Sequence, residues 1–326
     1  MQGVDLQRKS KELLTELDKD IKNNLDQYIS EFERCFLAYC DKVYEMQQAG
    51  KKKGIAYIQF SVLRTNILLN KHVLRMDAYD ETWYLDTEEC SGEYEVTKYY
   101  SYLEKYGECI EDLRKKSLGG ISLAEAQKRI FSESNFYLFY VAEVIRLGMR
   151  KVIQSQSYKR MQKADCFMVT IGGYMDRFDI LYKEDITKKD AKEVKRYLQS
   201  GTQKVFSHAI YEDLDLSNGH YEGLEFQYSS FSSCDLSDTY WDNAHLIFSK
   251  FRKVTIKDAK MEKMKIFDTD FSGAIMENIS FAGSKMRCVS FEGASLRGVD
   301  FSKTLVFEEI NFEGTVLTDC KLPERG

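Results

Sequence analysis

Large apolar side chains recur at every fifth position over much of the C-terminal part of the chain. Within residues 271–301, a Phe, Met or Leu stands at 271, 276, 281, 286, 291, 296 and 301. An α-helix repeats its face every 3.6 residues and a β-strand every 2, so neither element explains this period. The backbone here must turn the same face inward once in every five residues.

The register extends well beyond this stretch. It runs back to Phe226 and more weakly to Tyr211, and forward to Val306, where it slips by one residue before Phe312. A smaller side chain stands two positions before most of the large ones, and such short-period self-similarity indicates a solenoid. The predicted core positions of the repeat are Phe226, Phe231, Leu236, Trp241, Leu246, Phe251, Ile256, Met261, Ile266, Phe271, Met276, Phe281, Met286, Phe291, Leu296, Phe301, Val306, Phe312 and Leu317.

Several units carry a more specific motif. CDLSD (234–238), TDFSG (269–273), ASLRG (294–298) and VDFSK (299–303) resemble the pentapeptide-repeat family, whose pattern is small, Asp or Asn, Leu or Phe, polar, any residue. The resemblance covers about residues 205–322. It implies a right-handed quadrilateral β-helix in which four pentapeptides make one coil, with one on each side of a square.

In this fold, the spacing of the core residues predicts how they stack from coil to coil. We expect about six coils, with each core residue stacked on the one a coil later at the ~4.8 Å spacing of paired strands. Aromatic residues or Met stand ten residues apart from Phe231 to Phe301, which predicts that they fill two opposite walls while aliphatic residues fill the others. The slip between Val306 and Phe312 predicts a β-bulge.

The remainder of the chain shows mainly helical patterns. We predict a mainly α-helical domain over residues 1–203, with short β elements within 57–86 and 164–182, followed by the repeat domain over 204–326. Apolar residues at spacings of three and four predict one long amphipathic helix that ends near Gly50. That face either packs within its own domain or forms a coiled coil with another chain.

Two capping patterns predict further helices. Ser122 with Glu125 predicts a helix over about 122–153, after the glycine pair at 119 and 120. Thr187 with Asp190 predicts a short helix that Gly201 ends.

The sequence offers little that indicates catalysis or a cofactor. The eight cysteines form no CxxC pair, and none of the four histidines has a partner at a metal-ligand spacing. Lone glycine pairs lack the context of a phosphate-binding loop. We therefore predict no catalytic, metal or cofactor residues. The absence of an export signal and of a stretch of ~20 apolar residues favours a cytoplasmic protein without a membrane span.

Charge is banded along the repeats. Residues 205–249 contain eight acidic side chains and no Lys or Arg, and a cluster of basic residues follows directly. Because these stretches span whole coils, we expect belts around the solenoid, which either mark a partner-binding site or form an ordinary solvated surface. The basic candidates for partner binding are Lys250, Arg252, Lys253, Lys257, Lys260, Lys263 and Lys265.

The leading prediction is a non-enzymatic interaction or scaffold protein that binds another protein on a rigid repeat platform. Some members of the resembled family protect type II topoisomerases such as DNA gyrase by mimicking DNA, so the resemblance makes this an alternative. Residues 205–326 carry 20 acidic and 13 basic side chains, a net charge of −7. An enzyme with an unrecognised N-terminal site is a second alternative. We also expect a homodimer, through the C-terminal coils or the first long helix.

Direct binding of nucleic acid is disfavoured by the charge of the N-terminal region. The first 204 residues carry 34 basic and 32 acidic side chains, so they form no strongly basic domain.

Overall fold

The protein forms two compact units, residues 1–185 and residues 186–326. The computed structural model describes residues 2–117 and 120–324. The first residue of the predicted glycine turn, Gly119, lies outside the described residues.

The first unit combines helices with a mixed β-sheet. Its helices are α1 (Gln2–Asn23), α2 (Leu25–Gln48), α3 (Arg64–Leu68), α4 (Thr97–Lys116), α5 (Leu123–Val152) and α6 (Gln156–Arg160). Its strands are β1 (Ile55–Val62), β2 (Val73–Tyr79), β3 (Ser91–Glu95), β4 (Lys163–Gly173) and β5 (Phe178–Asp185). The strand order is β3-β2-β1-β4-β5, with β1 and β4 parallel and the other pairs antiparallel.

The strands predicted within 57–86 and 164–182 are therefore present, and they belong to one sheet. Two helices pack on this sheet: Phe60 of β1 stacks on Phe36 of α2 at 5.9 Å between ring centroids, and α5 lies against α2. Gly148 of α5 permits this packing, since a Cβ there would lie 2.4 Å from the ring of Phe32. The core of the first unit thus lies between the helices and the sheet.

The predicted single N-terminal helix is divided in two. Asn24 separates α1 from α2, and its side-chain amide donates to the backbone oxygen of Asp20 at 3.1 Å. An Asn side chain that competes in this way for backbone groups favours a helix break. The apolar faces of both helices lie in the core of the first unit, so the packing within one domain is confirmed. The second helix ends at Gln48, close to the expected Gly50.

Of the two capping predictions, the one for Ser122 is confirmed and the one for Thr187 is wrong. The Ser122 hydroxyl accepts the amide of Glu125 at the start of α5, as predicted. The short helix is α7 (Ala191–Gln199), but its cap is Asp190, whose carboxylate accepts the amide of Glu193 at 3.0 Å. The predicted cap residue Thr187 lies outside that helix.

The second unit is a β-solenoid of about six coils that begins after α7. Leu198 of α7 is 1% exposed within the solenoid core, and Tyr197 packs edge-on against Phe206 of the first coil. The predicted division after residue 203 would separate α7 from the coils on which it packs. Where an independently folding fragment begins stays a prediction.

The coils build four walls. The first wall contains β6 (Val205–Ser207), β8 (Glu225–Gln227), β10 (His245–Ile247), β13 (Lys265–Phe267), β15 (Lys285–Ser290) and β17 (Val306–Asn311). The second contains β7 (Ile210–Glu212), β9 (Ser230–Ser232) and β11 (Lys250–Arg252). The third contains β12 (Thr255–Lys257), β14 (Ile275–Glu277), β16 (Ser295–Arg297) and β18 (Val316–Thr318). Isolated parallel bridges, such as Tyr240 with Lys260, form the fourth.

The register confirms the predicted stacking of core residues. Phe231 pairs with Phe251, and Leu246 pairs with Ile266, each across one coil of 20 residues. Phe rings fill the inner side of the second wall, for example Phe271 on Phe291 at 5.4 Å. Most corners are formed by residues with positive φ, and many of these are not glycine.

Two residues of the predicted core are corrected by the structure. Val306 pairs with the outward-facing Lys285, whereas Phe307 stands opposite the core residue Met286. The extra residue therefore lies between Phe301 and Phe307, earlier than predicted, and Leu305 at this point is 68% exposed.

Leu317 is the other correction. It stands opposite Leu296 as expected but is 42% exposed, because β18 pairs on one side only among the described strands. A core residue needs a coil on both sides, and the last described coil has only one.

Candidate functional site

The seven basic residues predicted to bind a partner do not share a face. Lys250 and Arg252 lie on the second wall, Lys257 on the third and Lys265 on the first, while Lys260 lies on the fourth. They form a belt, as expected, because sixteen residues span most of a coil.

Two members of this belt are also neutralised by the next coil. Arg252 is 2.5 Å from a carboxylate oxygen of Asp270, and Lys257 is 3.2 Å from one of Glu277. The belt as a whole is therefore a weak candidate for a binding site.

A different group of outward residues forms one continuous surface on the first wall. β10, β13 and β15 are adjacent parallel strands, so residues one coil apart stand side by side. We call this surface the basic-aromatic wall, and it consists of Ile247, Phe248, Lys265, Phe267, Lys285 and Arg287.

The apolar half of this surface is exposed yet rigidly held. Phe248 is 44% exposed, while Ile247 and Phe267 are half-buried. The Phe248 ring stacks on Tyr228 of the preceding coil, with 5.2 Å between centroids and 7° between planes. Its backbone has a φ of 51° at the corner between two walls, a conformation that costs a non-glycine residue energy.

The basic half has an unbalanced charge. Lys265 and Lys285 stand directly opposite each other and are both exposed, and no carboxylate of residues 2–117 or 120–324 lies within ion-pair distance of either. Two acidic residues on the strands of this wall are already engaged: Glu225 lies 3.3 Å from His245, and Glu308 lies 2.6 Å from Arg287. Asp268 and Glu309 stand in the corner row that contains Phe248. Like charges on neighbouring strands destabilise a sheet. The side-by-side placement of Lys265 and Lys285 therefore does not stabilise the described part of the solenoid.

Sequence reasoning selected only Lys265 from this surface. The signal that it missed is the spacing of 20, since residues 247, 267 and 287 form one row and residues 265 and 285 another. Counting charges along the sequence finds groups of consecutive residues, which form belts. Residues that share a wall are 20 positions apart, so they are found only when the coils are aligned.

The fourth wall carries an acidic row. Glu222, Asp242 and Glu262 follow one another at the spacing of a coil, and a carboxylate oxygen of Asp242 accepts the amide of Glu262 at 2.9 Å. The fourth wall thus carries this acidic row together with Lys260, whereas two lysines stand side by side on the first wall.

The first unit contains a groove of about 1040 Å³ between α5 and the turn that joins β4 to β5. Apolar residues such as Phe131 and Ile171 contribute to its lining. On its rim, Arg64 lies 3.6 Å from Asp176, and these side chains are 79% and 57% exposed. Exposed charges of this kind do not form the desolvated cluster that acid–base catalysis requires.

Buried titratable groups occur elsewhere in the first unit. Burial raises the pKa of Asp77 even though Arg75 donates to both of its carboxylate oxygens. Burial also raises the pKa of Glu133, which accepts a hydrogen bond from Ser10. Each group has its own partner, so the two do not form one constellation.

Within residues 2–117 and 120–324, no three His, Cys, Asp or Glu side chains are grouped so that they could hold a metal ion. Over the same residues, no helix has the length and apolar character that crossing a bilayer requires.

Comparison with known proteins identifies the repeats. Residues 229–263 and 266–302 match the family model of pentapeptide repeats, with eight copies. The first unit has no family-model match, and no curated protein sequence matches the chain.

Solved structures of pentapeptide repeat proteins resemble part of the chain. Rfr23 from the cyanobacterium Cyanothece 51142 has 13% identity and a TM-score of 0.27, covering 40% of this chain and 99% of its own. A protein of the Arabidopsis thaliana thylakoid lumen has 16% identity and a TM-score of 0.19, covering 33% and 73%. The plasmid-mediated fluoroquinolone resistance protein QnrB1 has 14% identity and a TM-score of 0.17, covering 37% and 78%. These values carry no conclusion about partner or activity.

Proposed function

The second unit is a pentapeptide-repeat solenoid, and we propose that the protein is a non-enzymatic interaction protein that uses this solenoid as a rigid platform for another protein. The observation that carries the proposal is the basic-aromatic wall. Exposed aromatic residues at the centre of a rigid surface are typical anchors of protein interfaces.

Rigidity supports this proposal. Each strand of the wall pairs with a strand on both sides from β8 to β15, and the core behind it is fully buried. A surface that is already ordered loses little conformational entropy when a partner binds.

The test is affinity capture from cell lysate with the full chain and with the double variant Phe248→Ser and Phe267→Ser. Because both side chains point outward, their replacement should leave the solenoid folded. The matched control is Ile275→Ser, which removes a residue that is 43% exposed on the third wall.

We expect the same captured protein with the wild-type chain and the control, and its loss with the wall variant. If the wall variant captures the same proteins in the same amounts as the wild-type chain, the platform proposal is wrong. Circular dichroism of each variant shows whether the fold is retained.

A second candidate function follows from the acidic row of the fourth wall. A row of carboxylates at regular spacing can imitate the phosphates of DNA, and this favours a protector or inhibitor of DNA gyrase or another type II topoisomerase. Glu222→Lys with Asp242→Lys should then abolish an effect of the protein on gyrase supercoiling. Supercoiling that is the same with and without the wild-type protein excludes this candidate.

We further propose that the protein forms a homodimer through its last coil. Leu317 and Leu322, which face the interior in register, are 42% and 47% exposed, and β17 and β18 each pair on one side only among the described strands. Unpaired strand edges are ready-made association sites.

Light scattering after size exclusion should give twice the chain mass of 38.0 kDa, and Leu317→Arg should give one chain mass. A single chain mass for the wild-type protein excludes the dimer.

A further inference from the structure

We propose that the partner of the basic-aromatic wall is an acidic protein segment that carries an apolar anchor residue. This inference rests on the proposed function and names the chemistry of the partner.

The first argument is the uncompensated charge of the wall. Several cations of the solenoid are paired with acids one coil away, as Lys257 is with Glu277 at 3.2 Å and Lys321 with Asp300 at 3.4 Å. Lys265 and Lys285 instead face each other across neighbouring strands. Carboxylates from a partner would relieve this repulsion at both positions.

The second argument is the apolar row beside the two lysines. Ile247 and Phe267 are Cα partners in β10 and β13, and Phe248 extends the row around the corner. Lys265 and Phe267 are two residues apart on one strand, which separates the basic and apolar rows by about 7 Å. A partner must therefore place an apolar side chain about one side-chain spacing from its carboxylates.

The third argument distinguishes an acidic protein segment from nucleic acid. The acidic row of Glu222, Asp242 and Glu262 lies on the adjoining fourth wall, and residues 205–326 have a net charge of −7. A long polyanion that reached beyond the wall would meet this repulsive field. A short acidic segment anchored on Phe248 and Phe267 would not extend so far.

The test uses the full chain and a fluorescein-labelled synthetic peptide of sequence EEFEEFEE, with binding followed by fluorescence anisotropy. The comparison peptide QQFQQFQQ keeps the apolar anchors and removes the charge. The wall variant is Lys265→Glu with Lys285→Glu. Its control, Lys253→Glu with Arg297→Glu, makes the same change of net charge at exposed residues away from the wall.

We expect saturable binding of EEFEEFEE that weakens as salt is added and is at least about tenfold tighter than that of QQFQQFQQ. The wall variant should weaken binding about tenfold or more, and the control should change it less than about twofold. No binding of EEFEEFEE, equal binding of both peptides, or equal weakening by wall variant and control would overturn the inference.

The capture experiment distinguishes failure of the acidic-partner inference from failure of the proposed function. Loss of a captured protein with Phe248→Ser and Phe267→Ser, together with no binding of EEFEEFEE, leaves the platform and removes the acidic partner. A labelled DNA duplex that binds the wild-type chain, does not bind the Lys265→Glu and Lys285→Glu variant, and competes with the peptide assigns the wall to nucleic acid and also overturns the inference.

Discussion

At the scale of single residues, a buried ion pair holds the loop between β2 and β3. The side chains of Lys52 and Asp86 are 1% and 4% exposed, with 2.6 Å between nitrogen and oxygen. Lys52 also donates to the backbone oxygen of Glu88, and Asp86 accepts the amides of Asp80 and Glu88. Lys52→Met would leave a buried carboxylate without its cation, and we expect it to cost about 3–5 kcal/mol of unfolding free energy.

The double variant Lys52→Met with Asp86→Leu should recover most of this loss, since it removes the buried charge as well as its partner. Urea unfolding can be followed by fluorescence of Trp83 in a Trp241→Phe background, because these are the two tryptophans of the chain. Equal stability of the single variant and its parent would show that the pair is not buried in solution.

The same pair predicts a dependence on pH. Burial alone would raise the pKa of Asp86, but hydrogen bonds from Lys52 and from two amides together lower it below its usual value. A lowered pKa contributes stability above the unfolded value of about 3.9, and this contribution is lost as the pH falls through the folded pKa. Between pH 7 and pH 3, the wild-type chain should therefore lose more stability than the double variant does.

At the scale of elements, α7 covers the first coil. Leu198 is 1% exposed and Tyr197 packs on Phe206 at 5.7 Å. We expect fragment 186–326 to be more stable than fragment 204–326 by about 1.5–3 kcal/mol, the value of burying one large apolar side chain. Urea unfolding followed by Trp241 fluorescence measures the difference. Equal stability would place the start of the folding unit at the predicted residue 204.

At the scale of the whole molecule, we predict that the second unit binds the acidic peptide without a contribution from the first unit. If the basic-aromatic wall is sufficient, fragment 186–326 should bind EEFEEFEE within about twofold of the full chain, because every residue of the wall belongs to that unit. Anisotropy titrations of both proteins test this. Weaker binding by a folded fragment would show that the first unit contributes to recognition.

The sequence was sufficient for the solenoid because each five-residue unit repeats the same choice of a large and a small inward residue. It failed at Val306 because Phe307 beside it is equally apolar, and only pairing with Met286 decides between them. In the first unit, β1 is buried on both faces over most of its length, so it lacks the alternation that identifies a strand. The basic-aromatic wall was missed because its residues are neighbours only once the coils are aligned.

The extra residue at Leu305, which lies before β17, affects how a repeat sequence of this kind can change during evolution. Coils before it repeat after 20 residues, and the coil that contains it repeats after 21, yet Val306 and Phe307 still stand opposite Lys285 and Met286. Duplication or deletion of 20 residues would therefore preserve the outward surface, whereas a change of five would turn every later side chain onto the next wall. Descendants of one ancestral gene should differ in length by whole coils, with single-residue insertions absorbed at the corners.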